Sequence, residues 1–214
     1  MMEKLKPLPI TFDEASHTYR WDPTGDVLPY SVTTVTSWDM SADKRANIDA
    51  TRDQWERRGN ACHHALESLL TGEPFRQDDL DEFDQWITPL LEHAFWKDFE
   101  VLASEYRMVD LKRGLAGSCD AIGLYKGKTI LLDLKSQKAT GKPYSTNRQL
   151  GGYLALLYGD ECHRNGTSKL WVDECRTVWA RPGKTTVGKA QDPTRCLLEF
   201  CDAWEMFQFT RPAF

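Results

Sequence analysis

Gly117-Ser118-Cys119-Asp120-Ala121-Ile122-Gly123-Leu124-Tyr125, the turn Lys126-Gly127-Lys128, and Thr129-Ile130-Leu131-Leu132-Asp133-Leu134-Lys135 together decide how this chain reads. Two apolar runs of strand length flank a glycine turn, the pattern of a β-hairpin. Alternation puts Asp133 and Lys135 on one side of the second strand and turns Leu134 to the other. A carboxylate and an ammonium at the end of an apolar strand are unfavourable unless paired or used. Alone, such a pair is commonly structural. Asp120 changes the reading, because pairing centred on Gly127 sets it roughly opposite Lys135 and near Asp133. Two carboxylates that close repel unless a cation lies between them. The small residues Gly117, Ser118 and Gly123 leave room for a ligand backbone to approach.

Outward from this hairpin, the period changes on either side. Upstream, residues 101–109 read as one more strand, giving three with 116–125 and 129–134. Before them, 51–70 reads as a helix closed by Thr71-Gly72, and 80–96 as a second helix with Phe83, Trp86, Ile87, Leu90 and Leu91 at helical spacing and Pro89 as a kink. Residues 10–21 alternate and end in the turn cluster Asp22-Pro23-Thr24-Gly25-Asp26, an N-terminal hairpin leading into 31–35. Downstream, 146–158 reads as a helix, 169–180 as a strand and 193–207 as a closing helix. Antiparallel hairpins joined to a crossover helix predict an α/β fold: a central mixed β-sheet flanked by helices.

A chain of 214 residues suits one domain, 1–214. We divide it into a hairpin accessory (1–45), a core (51–180) and a C-terminal helix (190–214). No apolar run reaches the length of a membrane span, and Met1-Met2-Glu3-Lys4-Leu5-Lys6 has no signal-peptide core, so the expected compartment is the cytoplasm. The net charge of −5 argues against an all-over grip on nucleic acid and leaves local basic surfaces open. Cys62, Cys119, Cys162, Cys175, Cys196 and Cys201 show no CxxC spacing and are read as reduced thiols.

Three further pieces join the hairpin. Gly59-Asn60-Ala61-Cys62-His63 lies on the first helix, and Gln149 and Tyr153 lie four apart, hence on one face, of the helix after Lys135. Gly151 and Gly152 between them weaken that helix and permit close packing on the sheet. In this order, residues 117–153 resemble the core of the PD-(D/E)XK nuclease superfamily, closest to its RecB-like branch of phage exonucleases and CRISPR-associated adaptation nucleases. The looser stretch Phe12-Asp13-Glu14 to Thr33 resembles the opening of phage-encoded RecB-like proteins.

The resemblance implies a restriction-endonuclease-like core and a divalent-metal-dependent deoxyribonuclease using Mg²⁺ or Mn²⁺. It implies metal binding by His63, Asp120, Asp133 and the Leu134 carbonyl, with Asp120, Asp133 and Lys135 catalytic. Gln149, Tyr153, Lys138, Lys142 and Tyr144 are expected on the DNA, and Glu67 and Glu105 are secondary candidates. The resemblance implies DNA ends or single strands as substrate and a recombination or single-strand-binding protein as partner, in a bacterial or phage-infected cytoplasm. Cys119 replaces the family's nominal proline. Some branch members hold an iron–sulfur cluster; the cysteines here form no tight C-terminal group, so none is expected. The alternative is a blunted nuclease fold that binds DNA or recruits protein, which needs no divalent ion at Asp120 and Asp133.

Overall fold

In the computed structural model, which describes residues 3–14, 16–167 and 170–210, the chain opens with β1 (Ile10–Asp13), β2 (Thr18–Trp21) and β3 (Asp26–Leu28). These pair antiparallel in that order as a separate sheet. The expected N-terminal hairpin is therefore three-stranded: the turn after Trp21 folds the chain back into β3. A short strand β4 (Tyr30–Ser31) leads into α1 (Val32–Thr36), capped by the Ser31 hydroxyl, which accepts the Thr34 N–H at 3.0 Å. Next comes α2 (Ala42–Ala50), which buries no residue and so leaves no apolar stripe in the sequence to announce it.

α3 (Arg52–Thr71) ends at Gly72, whose φ of 80° makes the left-handed cap expected there. α4 (Gln77–Leu91) contains Pro89. Proline withdraws the N–H that would bond the Gln85 carbonyl, and the Gly183 N–H takes its place at 2.8 Å. The departure from helical geometry falls at Phe83 instead. The helix expected to reach residue 96 stops at Leu91, and a 3-10 turn, Ala94–Asp98, follows.

The remaining elements are β5 (Phe99–Asp110), β6 (Leu115–Tyr125), β7 (Lys128–Ser136), α5 (Asn147–Leu157), α6 (Asp160–Arg164), β8 (Glu174–Arg181), β9 (Lys184–Val187) and α7 (Pro193–Phe209). The strand expected from residue 169 begins at Glu174; Lys169 itself lies outside the described residues.

β4 to β9 form one mixed sheet. β5 runs antiparallel along one edge of β6. Two strands share the other edge: β4, parallel, at Leu115 and Ala116, and β7, antiparallel, from Ala121 to Tyr125. Residues 117–120 lie in the fork between them. β7 pairs parallel with β8, and β8 antiparallel with β9. The β6–β7 turn uses two residues, Lys126 (φ 51°) and Gly127 (φ 78°), in the doubly left-handed geometry that suits strand twist. Tyr125 therefore pairs with Lys128 and Ala121 with Leu132. Carried one step further, this register sets Asp120 across from Asp133, two residues before the Lys135 expected roughly opposite it.

Helices cover both faces. Ala61 and Leu66 of α3 and Ile87 and Leu90 of α4 pack with Ile130, Leu132, Leu134 and Val178. Val32, Leu150, Leu154 and Phe200 pack with Ile122 and Leu131 on the other side. The glycine pair of α5 serves helix contacts rather than sheet contacts. A Cβ at Gly151 would collide with the Cys196 carbonyl of α7, and one at Gly152 would lie 2.5 Å from Val32 Cγ1 of α1. All six cysteines are free thiols; five are buried and Cys201 is exposed. Among the described residues no helix is long and apolar enough to cross a membrane.

Candidate metal centre and its cleft

Where β7 leaves β6, the ladder is replaced by a side chain. The Asp120 carboxylate accepts the Leu134 N–H through Oδ2, and its Oδ1 lies 3.0 Å from His63 Nδ1. The same nitrogen is 3.5 Å from Glu105 Oε1. One donor atom each from His63, Glu105 and Asp120 falls within 4.8 Å of the others, a spacing one metal ion could bridge.

Three elements deliver these groups. His63 comes from the middle of α3, whose flanking Ala61 and Cys62 are buried against the sheet. Asp120 comes from the fork. Glu105 lies on β5 in register with Asp120, between the pairs Ser104–Ala121 and Tyr106–Cys119, but is itself out of the ladder, with φ at 44°. A non-glycine residue in that region is strained by about 1–3 kcal/mol, and it is from this position that the carboxylate reaches His63. The Ser118 hydroxyl donates to its other oxygen at 3.4 Å.

Asp133 and Lys135 stand beside this trio. They share one side of β7 as alternation requires, with Nζ 3.0 Å from Asp133 Oδ1, while Leu134 packs away among the α3 residues. Asp133 is 1% exposed, and its Oδ2 has no hydrogen-bond partner among the described residues. A buried carboxylate oxygen without a donor is costly, and a cation would satisfy it. That orphan lone pair, next to three clustered donors of the right kind, makes the residues fit a divalent ion.

The charges are strongly coupled. Burial, assisted by Asp120 and opposed by Lys135, lifts the Asp133 carboxyl to about 6. Burial also lifts Glu105, despite His63. For Asp120 burial pulls upward as well, but His63, Lys135 and the Leu134 N–H outweigh it and hold the group below the usual carboxylate range. Burial disfavours charge on His63 and Lys135, yet the surrounding carboxylates win and raise both.

The cluster opens into a cleft of about 740 Å³. Gln149 and Tyr153 face it from α5, joined by a 2.6 Å bond from Gln149 Nε2 to the Tyr153 hydroxyl. Glu67 lines it one turn after His63. His64 lies there too, tied to Asp79 at 3.3 Å. The N-terminal sheet supplies Phe12, His17 and Tyr19, so the accessory strands form one wall. Gly59 meets only Ser136 Oγ, at 3.8 Å from a built Cβ, so packing does not demand glycine there. Its neighbour Arg58 ties α3 to the end of β7, donating to Ser136 Oγ at 3.2 Å over the Trp86 ring.

Three expected DNA contacts lie outside the cleft lining, although the Tyr144 phenol is close enough to feel the charges of Lys135 and Asp133. Lys138, Lys142 and Tyr144 sit on the loop after β7 and do not line the cleft. Tyr144 is exposed and packs edge-on against Trp179 at 5.0 Å. What the structure shows of the Leu134 backbone here is its N–H, given to Asp120. Conversely Arg107 and Arg76 line the cleft with no motif to mark them, and Asn60 and Tyr19 line it from within the Gly59–His63 and Phe12–Thr33 stretches. Glu105, ranked second from sequence, joins the primary cluster; a β5–β6 register read from the sequence would have found it opposite Asp120.

No protein-family model matches the chain, and no curated protein matches it. The crystal structure of SSO0001 is similar over 82% of this chain and 75% of that one, at 15% identity and a TM-score of 0.35. A likeness at that level assigns nothing to the site.

Proposed function

We propose that this protein is a divalent-metal-dependent deoxyribonuclease of the PD-(D/E)XK type, with a restriction-endonuclease-like core, that hydrolyses phosphodiester bonds at DNA ends. The observation that carries the reading is the fork in the sheet. It gathers His63, Glu105 and Asp120 about one point, and the paired Asp133 and Lys135, with the orphaned Asp133 oxygen, line the same cleft. A purely structural Asp–Lys pair has no use for the further imidazole and two further carboxylates.

In this reading His63, Glu105, Asp120 and Asp133 hold Mg²⁺ or Mn²⁺, which supplies Lewis acidity toward a phosphodiester. Lys135, fixed by Asp133, offers an ammonium to the charge that grows on the phosphate oxygens. Gln149 and Tyr153 offer an amide and a phenol from the opposite helix to the attacking water or the sugar–phosphate chain. Asp133 is 1% exposed and Asp120 6%, so a phosphate must descend to the cleft floor between α3 and the N-terminal sheet. A frayed or single-stranded end does this more readily than an intact duplex, which favours action at ends.

The test is digestion of end-labelled linear and covalently closed DNA with Mg²⁺, Mn²⁺ or EDTA, beside Lys135→Met. Metal-dependent loss of linear DNA that the variant cannot perform is the expected result. Undiminished cleavage by Lys135→Met, or none by the parent in either metal, refutes it.

A further inference from the structure

Among the described residues, the cations of the cleft differ in how they are held. Arg52 is bound by Glu56 at 3.3 Å and Lys135 by Asp133 at 3.0 Å. The Arg76 and Arg107 side chains make no hydrogen bond or ion pair, and of the two only Arg107 stands on the strand that carries Glu105, with Glu67 and Glu105 lining the same space. Arg107 is exposed, on β5, two residues beyond Glu105, and its partner in the β5–β6 register is Ser118, the residue that bonds Glu105.

Arg107 also stands at a junction. A second cavity, of about 380 Å³, shares Glu67, Glu105 and Arg107 with the cleft. It continues between β5 and the N-terminal segment, where the Leu5 N–H bonds the Leu102 carbonyl at 2.9 Å. Leu5 and Leu8 give it apolar wall, and Lys4 lines it too. Two residues of strand span about 6–7 Å, comparable to the step between neighbouring phosphates on one nucleic-acid strand. An unpaired guanidinium carried two residues along the strand from Glu105, with a part-apolar cavity beyond, has the form of a backbone subsite followed by a base subsite.

We infer that Arg107 binds the phosphate next to the scissile one, and that the strand continues past it into the second cavity. This rests on the nuclease reading above. It makes Arg107 a substrate-positioning residue, outside the metal-binding set.

The test uses oligonucleotides that each carry one neutral methylphosphonate linkage, at successive positions from the cut, with the parent protein and Arg107→Gln. For the parent, the neutral linkage adjacent to the cut should raise KM about tenfold. Arg107→Gln should raise KM by a similar factor on the all-phosphate strand, and be indifferent to that linkage. Its kcat and melting temperature should stay near the parent's, and the slope of log KM against log salt should fall by about one. A variant with parental KM and salt slope, or one still sensitive to that linkage, overturns the assignment of Arg107 alone. A parent that cleaves no DNA with any divalent ion removes the nuclease reading and this inference with it.

Discussion

The carboxylate of Asp120 accepts the backbone N–H of Leu134, so one side chain both closes the end of the β6–β7 ladder and faces the metal donors. The two duties separate by substitution. Asp120→Asn keeps an oxygen for the N–H and should retain the parental melting temperature to within a few degrees while losing divalent-ion binding. Asp120→Ala leaves a buried N–H without an acceptor, a loss of about 1–3 kcal/mol, and should lose both. Thermal melts with and without Mn²⁺ measure the two effects; equal stability of the two variants would refute the coupling.

Asp133 is the clearest case of a site residue opposing the fold. Its folded carboxyl, raised by burial to about 6, exceeds the value of about 3.9 in an unfolded chain. Between those values the folded state binds the extra proton, so stability falls as pH rises from about 4 to about 6 and stays lower above. In EDTA, Asp133→Asn should therefore be more stable than the parent at pH 7, by on the order of 1–3 kcal/mol, with the gap closing below about pH 4. Urea denaturation at both pH values decides it. A variant less stable at pH 7 means the ion pair with Lys135 outweighs desolvation.

His63 predicts proton competition. Burial opposes its charge, but Asp120 and Glu105 more than compensate and hold its pKa well above the ordinary imidazole value. With its pKa held upward in this way, His63 of the metal-free protein should hold its proton to higher pH than a free imidazole, and a metal binding there would have to displace it. The apparent Mn²⁺ affinity should rise about tenfold per pH unit until His63 deprotonates unaided, then level off. Glu105→Gln removes a ligand and one of the charges that hold the proton, so it should weaken binding and move the levelling point to lower pH. Calorimetric titration at four or five pH values shows both; a pH-independent affinity rules out His63 as a ligand.

Gly151 gives a prediction about packing. Alanine there would drive its Cβ into the Cys196 carbonyl, forcing α5 off α7 at a cost of about 1–3 kcal/mol or more. Because Gln149 and Tyr153 ride on the same helix, the substitution should also lower cleavage in proportion to their displacement. Gly127→Ala, in a turn with open space around it, should strain only the local φ and leave cleavage unchanged.

The residues that were legible in the sequence share one property: their signal is local. Alternation placed Asp133 and Lys135 together, and Thr71-Gly72 marked the end of α3. Asp120 is legible as a neighbour of Asp133, but not its exact partner, because that depends on whether the turn about Gly127 holds two residues or more. Glu105 was undervalued because its place depends on β5 meeting β6, a contact between strands that no short window contains. Lys138 and Lys142 are marked in the sequence by charge alone, and charge carries no direction, so their place outside the cleft lining is not legible there. Arg107 has an ordinary strand sequence around it, and its place at the junction of two cavities is a property of the fold alone. The glycine pair correctly signalled close approach, but which partner approaches is a matter of topology.

The burial of five thiols leaves Cys201 as the one cysteine open to reagent. It lies on α7, whose residues line neither cavity. A maleimide dye should therefore attach once to the native molecule without an engineered cysteine and without touching the cleft. The chain thus comes with its own attachment point for a fluorescent reporter, from which energy transfer to a labelled oligonucleotide could follow a strand entering and leaving in real time.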